Sequence, residues 1–574
     1  MLRKITMFSS EKFDSTGFSN ESSHESSKGS NFCGVERWEE TEIDPFGLFN
    51  ATEIRSAMSD ENENHRQLQN CREFFSLDDL YLDVVSPPFQ SCDDEIRKIF
   101  GIESQNSDLI DAEEKGSYVS PVASFELLRK YGNKRLSLPI ENSNAGSKTQ
   151  SSIMSTEKII ELAVEKFIQS LSQSEEIATI SHPYPSSFLG HDSKEVELVQ
   201  NLLLCAEKVG DKKYECSSKL LEEFDKISSS QGTPIQRLVH YFTEALYEKI
   251  DRETGTKTPK GLGKIVFSDP EALRCTSSFL IATHDKLPFS QITKFSGIQA
   301  VLDNVAEANK VHVIDLEIRL GVQYTILMQA LTARYENPIQ YLKITAVGTN
   351  SKTAIEETGK RLMSFAESLN LKLSFQVVMV KDILDLKTDY FELDPDEAVA
   401  VYAFYTLRNM IASADRLEHV MRVIKNLNPC VVVVTETEGS CNSPNFVRRF
   451  VEALFFYGVF FDSLAECLKN DEKTRKEAEL RYFSSSIRNI VATEGGERKI
   501  RPVSINVWRA FFARFGLVEI ELSMSSVYQA NMMRQSFPCG SLCTLGMIGK
   551  CLAVGWKGTP LSTLSAWKFK QNLI

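Results

Sequence analysis

From Val196 onward the chain alternates short unbroken apolar runs with longer stretches in which apolar residues recur every three or four positions. The short runs are Val311-His312-Val313-Ile314-Asp315, Leu342 to Gly348, Leu373 to Val380, Ala398 to Phe404 and Cys430 to Glu436. Such runs read as strands buried on both faces, and the valines from Val431 to Val434 demand it. The stretches between them read as amphipathic helices. Ile292, Ile298, Val301 and Val305 precede the first strand, and Tyr324, Leu327, Met328 and Leu331 follow it. Ile355, Leu362, Ala366 and Leu369 precede the third strand, Leu417, Val420, Met421 and Ile424 precede the fifth, and Phe446, Phe450, Leu454 and Tyr457 follow it. Repeated strand–helix–strand units predict an α/β fold with a doubly wound, mostly parallel sheet. Val518 to Leu522, Cys551 to Trp556 and Leu561 to Trp567 are predicted as later strands.

Ahead of the sheet the pattern is purely helical. Leu198, Leu202, Cys205 and Val209 step by four, three and four residues, and Leu220, Leu221, Phe224 and Ile227 continue on a second helix. Thr233-Pro234-Ile235-Gln236 carries the start signal of a third, with Thr233 as N-cap, Pro234 in the first helical position and Gln236 closing a capping box. The seam from Leu198 to Val209 suits either the chain's own core or the surface for a partner helix. Residues 1–189 read differently, as a disordered segment rich in Ser, Asn, Glu and Asp without sustained period. Two acidic islands with aromatic and leucine residues, Ile43 to Phe49 and Phe74 to Leu82, suit short segments that fold on a partner.

The formal net charge of −13 argues against nucleic-acid binding by overall basicity. Contact with DNA would need a partner or a local basic patch. Arg488, Arg498, Lys499 and Arg501 are the candidates for such a patch, with a solvated face as the alternative. No apolar run approaches the roughly 18 residues that span a bilayer, and the first residues lack a secretory pattern, so a reduced intracellular setting is expected. Cys539, Cys543 and Cys551 are the tightest cysteine spacing, but no paired C-x-x-C occurs and no histidine follows His419. No metal site is expected.

The order of elements resembles the fold of S-adenosylmethionine-dependent methyltransferases, which makes the first strand's loop the place to test for an enzyme. A cofactor there needs glycines, because it approaches the backbone more closely than a Cβ allows. Leu316 to Leu320 fill that turn and only Gly321 remains. The second strand ends in Val347-Gly348-Thr349-Asn350, with no carboxylate for ribose hydroxyls. No cofactor and no catalysis are therefore expected. A nucleophile elbow, a phosphate loop and H-E-x-x-H are all missing from the sequence. His312 reads as a satisfied core histidine. Asp315 is expected to cap the next helix or to pair with a buried cation.

Taken together, the motifs resemble the plant GRAS family of transcriptional regulators over residues 190–574. Val311, His312, Val313, Ile314 and Asp315 match its VHIID signature, with Gly321 and Gln323 at the family's spacing. The family's regions fall near 195–251 (first leucine repeat), 270–335 (VHIID), 352–384 (second leucine repeat), 393–486 (PFYRE) and 487–574 (SAW). Asp394-Pro395, Phe461 to Leu464 and Arg481 lie in the fourth, while Asn489 to Gly495 and Leu564 to Trp567 open and close the last. Tyr324 stands where the family usually has Trp, Ser485-Ser486 replace its Arg-Glu, and Ile500 stands at a usual Glu. The D-E-L-L-A sequence of the gibberellin-responsive branch is missing. The resemblance implies a nuclear regulator with a methyltransferase-like, Rossmann-like core, an α-helical cap and no cofactor. It implies binding to other transcription factors and family members, as homo- or heterodimers, without catalysis and without a membrane. Direct sequence-selective DNA binding is the alternative, and a working methyltransferase the remote one.

Overall fold

A computed structural model of the chain describes residues 154–173, 191–263, 277–349 and 352–570. The predicted segments at Ile43 to Phe49 and Phe74 to Leu82, and with them most of the 1–189 segment, lie outside the described residues.

Among the described residues nine strands form one sheet: β1 Lys310–Asp315, β2 Tyr341–Gly348, β3 Leu373–Met379, β4 Ala398–Phe404, β5 Val431–Thr437, β6 Leu517–Ile520, β7 Cys543–Ile548, β8 Cys551–Trp556 and β9 Thr559–Phe569. The order is β3-β2-β1-β4-β5-β9-β8-β7, with β6 also paired to β9. The first five strands run parallel, with Val311 beside Leu342 and Ala398. β9 joins antiparallel to β5, Val433 opposite Ala566, and β8 and β7 continue antiparallel. The 3-2-1-4-5 order is that of a doubly wound sheet. An antiparallel strand beside β5 extends it in methyltransferase-like fashion, as expected.

The two-residue period of the strands separates two cores. Val311, Val313, Ala400, Tyr402, Phe404, Val431 and Val433 face one, while Ile314, Val399, Val401, Ala403, Val432 and Val434 face the other. The second is covered by the helices Ala414–Leu427 and Ile505–Arg514. On the first, the helix Pro288–Asn304 lies against β5, β8 and β9. Gly297 permits that approach, because a Cβ there would sit 3.2 Å from the Tyr402 ring and hydroxyl.

A helical cap completes the first core. The helices Thr156–Gln173, His191–Gly210, Tyr214–Ile227 and Pro234–Thr254 pack on one another and on Phe446–Cys467 and Ser485–Ala492. Thr233 caps the Pro234–Thr254 helix in the predicted capping box with Gln236. Inside the cap, Glu479 is fully buried and accepts from Arg237 at 2.8 Å and Arg475 at 3.0 Å. A carboxylate there is tolerable only because two guanidinium groups face it.

Three expectations need correction. The helix Thr156–Gln173 falls inside the segment expected to be disordered, and Ile159, Ile160, Val164, Phe167 and Ile168 on it are buried in the main core. Their spacing is helical, so burial offsets the ordering cost that the surrounding Ser-rich composition suggested could not be met. β7 was not anticipated. β6 ends at Ile520, two residues short of the predicted Leu522.

Candidate functional site at the crest of the sheet

In a doubly wound sheet ligands bind beyond the carboxyl ends of the strands, where β1 and β4 diverge. Here β1 delivers Asp315 to that crest. Its carboxylate accepts from the Tyr324 hydroxyl at 2.5 Å, from the Glu317 backbone N–H at 2.9 Å and from Gln323 Nε2 at 3.4 Å. The next helix, Val322–Thr332, has Gly321 as its N-cap, in the left-handed region at φ 67° and with no side-chain cap, so Asp315 does not cap it. Nor does any Lys or Arg among the described residues form an ion pair with it. Neutral donors hold it instead, and burial pushes its carboxyl up to about 6, against the Tyr324 hydrogen bond that lowers it.

β4 and β5 bring up a second group. Glu436 is buried, and its Oε1 accepts from the backbone N–H groups of Leu407 at 2.9 Å and Arg408 at 3.2 Å. Its Oε2 lies 4.0 Å from Arg408 Nε, and burial pushes the carboxyl up to about 7 despite that cation. The Arg408 guanidinium sits 4.9 Å from the Tyr405 ring centre, and Tyr405 itself holds a left-handed φ of 55°. None of Glu436, Arg408, Tyr405 or Lys294 was singled out in the sequence. The acidic residue closing the valine run was the legible signal for Glu436.

The crest does not fit S-adenosylmethionine. The loop after β1 carries buried Leu316 and Ile318 where the cofactor's approach requires glycine. At the end of β2, a Cβ on Gly348 would meet Ile355 at 2.3 Å and Met379 at 3.0 Å, so that position is closed by apolar side chains. No step can be routed through such a cofactor here.

The other predicted residues land as follows. His312 is fully buried between Glu397, at 2.6 Å from Nδ1, and Thr345, at 2.8 Å from Nε2, a core histidine with both nitrogens engaged. Val311, Val313 and Ile314 are core strand residues. Leu198, Leu202, Cys205 and Val209 do not form a partner surface, and all four lie in the main core. Their helix is enclosed by the helices Thr156–Gln173, Tyr214–Ile227, Pro234–Thr254 and Phe446–Cys467.

The four basic residues do not gather on one exposed face. Arg488 is buried and bonds Glu248 at 2.7 Å and the carbonyl of Lys260 at 2.8 Å. Arg498 is also buried, and Arg501 bonds the carbonyls of Gly495 and Arg498. Lys499 alone of the four is exposed. Among the described residues no group of His, Cys, Asp and Glu side chains could hold a metal, and no helix is long and apolar enough to cross a membrane.

Comparison with known proteins agrees with this architecture. Residues 198–568 match the model of the GRAS domain family. The chain is 29% identical over 397 residues to DELLA protein 1 of Medicago truncatula, covering 66% of this chain and 64% of the relative. It is 30% identical over 387 residues to DELLA protein RGA of Arabidopsis thaliana, covering 66% and 63%. The chain thus spans just under two thirds of the length of these curated relatives. Among solved structures, SCL7 of Oryza sativa matches with a TM-score of 0.57 at 27% identity, over 65% of this chain and 99% of that one. With the family model spanning well over half of its length, a methyltransferase-like sheet and a helical cap, this chain belongs to the plant GRAS family.

Proposed function

We propose that this chain is a nuclear transcriptional regulator that works by binding other transcription factors and members of its own family, without catalysis. Its membership in a family of transcriptional regulators supports the general role. The observation that carries the mechanism is the crest. Its glycine positions are taken by Leu316 and Ile318, and its carboxylates are committed to internal donors. A sheet without cofactor room is a scaffold for surfaces. The helix Met524–Ser536 presents Met524, Tyr528 and Met532 to solvent at 83%, 50% and 42% exposure, apolar area of the kind that protein partners cover. Indirect contact with DNA, through a partner, is favoured over direct contact because Arg488 is spent on internal acceptors and Arg498 is buried.

The test is recruitment in plant cells. Fused to a heterologous DNA-binding domain, the full chain should enter the nucleus and change reporter output at least about twofold. It should also co-precipitate family members from the same cells. An inert fusion, together with calorimetry showing micromolar binding of S-adenosylmethionine, would restore the enzyme reading.

A further inference from the structure

The buried cations of this protein divide into two kinds. Arg237 donates to Glu479 and to the carbonyls of Gly232 and Phe461. Arg449 bonds Glu494 and the carbonyls of Ile490 and Ser443. Lys343 donates to the carbonyls of Phe391 and Glu392, each at 2.8 Å. Each of these charges is matched, as burial of a charge requires. Lys294 and Arg319 are less completely matched, and both stand at the crest.

Lys294, on the helix Pro288–Asn304, is 8% exposed. Its ammonium faces the Phe404 ring at 4.8 Å and has no hydrogen bond or ion pair among the described residues. Arg319, in the loop after β1, is also 8% exposed, and its Nε and Nη1 have no hydrogen-bond partner. Only its Nη2 reaches a carboxylate, Glu317, at 3.4 Å. Burial first, then the nearby Arg319 guanidinium, bring Lys294 down to about 7, against the Asp315 carboxylate, which raises it.

Neutral groups on the same face share this condition. Asp315, Tyr402 and Phe404 point to the face that Lys294 covers, with the rings of Tyr324 and Tyr402 6.4 Å apart and those of Tyr402 and Phe404 6.5 Å apart. Thr435 pairs with Phe404 across β4 and β5. The Tyr402 hydroxyl, the Thr435 hydroxyl and Gln323 Oε1 are all buried without a hydrogen-bond partner. Native proteins rarely leave buried polar atoms unmatched, and unmatched donors and acceptors gathered in one place mark a site for a ligand or ordered water. Here two of the groups are cations, and the nearby carboxylate of Asp315 offsets their charge through space but spends its hydrogen bonds on Tyr324, Gln323 and Glu317.

We propose that the crest is an oxyanion site, in which Lys294 and Arg319 hold the phosphate or carboxylate group of a small molecule, with the Tyr402 hydroxyl as a further donor. The chemistry differs from that of the cofactor whose contacts are missing. It makes this scaffold responsive to a small acid rather than a methyl donor. Binding would neutralise both charges and stiffen the junction of β1, β4 and the Pro288–Asn304 helix.

The experiment uses the full chain and measures melting midpoints in sodium phosphate, sodium acetate and sodium chloride at matched ionic strength. Phosphate, acetate or both should raise the midpoint over chloride by about 2 °C or more once the anion exceeds its dissociation constant several-fold. The acid that does so identifies the group recognised. Arg319→Met and Lys294→Met should abolish the rise, while Lys473→Met, at an exposed lysine, should keep it. In chloride the two crest variants should melt no lower than the unaltered chain, because each removes an incompletely matched buried charge. Should either variant fail to fold, calorimetric titration of phosphate and acetate into the unaltered chain decides, with saturable heat at one site per chain as the expected result. Equal midpoints in all three salts with no saturable heat would mean ordered water only and would overturn the proposal. An undiminished rise in both crest variants would do so too.

Discussion

Leu202 separates a core from a docking surface more sharply than any other position in the cap. Its side chain is fully buried, on a helix enclosed by four others. Leu202→Ala removes a branched side chain from a site that cannot collapse onto solvent, at a cost of about 3–5 kcal/mol. Leu202→Asp adds the burial of a carboxylate with no cation placed to receive it, several kcal/mol more. The sum is comparable with the whole net stability of a typical domain, about 5–15 kcal/mol. Over a matched region of roughly 370 residues, each kcal/mol moves the midpoint by about 1 °C. Leu202→Ala should therefore melt about 3–5 °C lower, and Leu202→Asp should fail to fold or show no cooperative transition. Tyr528→Ala, at a half-exposed position, serves as the control and should melt with the unaltered chain. Circular dichroism melts read the midpoint, and size-exclusion chromatography with light scattering reads association. A Leu202→Asp chain that melts like the unaltered one but has lost a partner would refute the reasoning and return the leucine seam to the surface.

Arg488→Met should destabilise by about 3 kcal/mol, because Glu244 and Glu248 lose their buried guanidinium and Glu248 keeps only Arg252 at its edge; Lys499→Ala should stay within about 0.5 kcal/mol in the same urea titration. Thr233→Ala removes an N-cap that accepts from Gln236 N–H and donates to Glu195, and should cost about 1 kcal/mol. Asp315 carries a pH signature. Its carboxyl rises from 3.8 to about 6 on folding, so the folded state holds the proton more tightly. The stability this contributes is fully present below about pH 4 and is lost as pH climbs through 6. Asp315→Asn mimics the protonated form, so its stability relative to the unaltered chain should improve by about 3 kcal/mol between pH 4 and pH 7. A gap that stays constant with pH would show that Asp315 does not titrate there.

The five parallel strands were legible because each is a continuous apolar run that only two-sided burial explains, and the described strands begin within a residue or two of those runs. β7 was not, since Cys543-Thr544-Leu545-Gly546-Met547-Ile548 lies at the sheet's edge and mixes polar residues and a glycine into its run. The charges at the crest were harder still. Asp315 was visible as a carboxylate closing a strand, but its short hydrogen bond comes from the Tyr324 hydroxyl on the following helix, while the buried cations Lys294 and Arg319 act on it only through space. Arg488 and Arg498 looked like a surface patch because their neighbours in sequence are polar. Glu248, which matches Arg488, lies 240 residues earlier, and no local pattern reports such a pairing. The leucine seam stayed open between core and partner surface for the same reason, because a stripe facing the chain's own helices and one facing another molecule have identical spacing.

β9 has a consequence for assembly. It supplies the neighbour for β5 and also pairs with β6 and β8, yet Ser565 meets Val434 at a separation of 131 positions in the chain. During synthesis, β1 to β5 therefore emerge long before the strand that covers the exposed rim of β5, whose run of valines is the kind of edge on which chains cross-associate. Contacts of such long separation also slow the search for the native arrangement. This protein should depend on chaperones during that interval more than a sheet whose neighbours follow one another directly. A lesion confined to β9 would expose the middle of the sheet rather than trim its border.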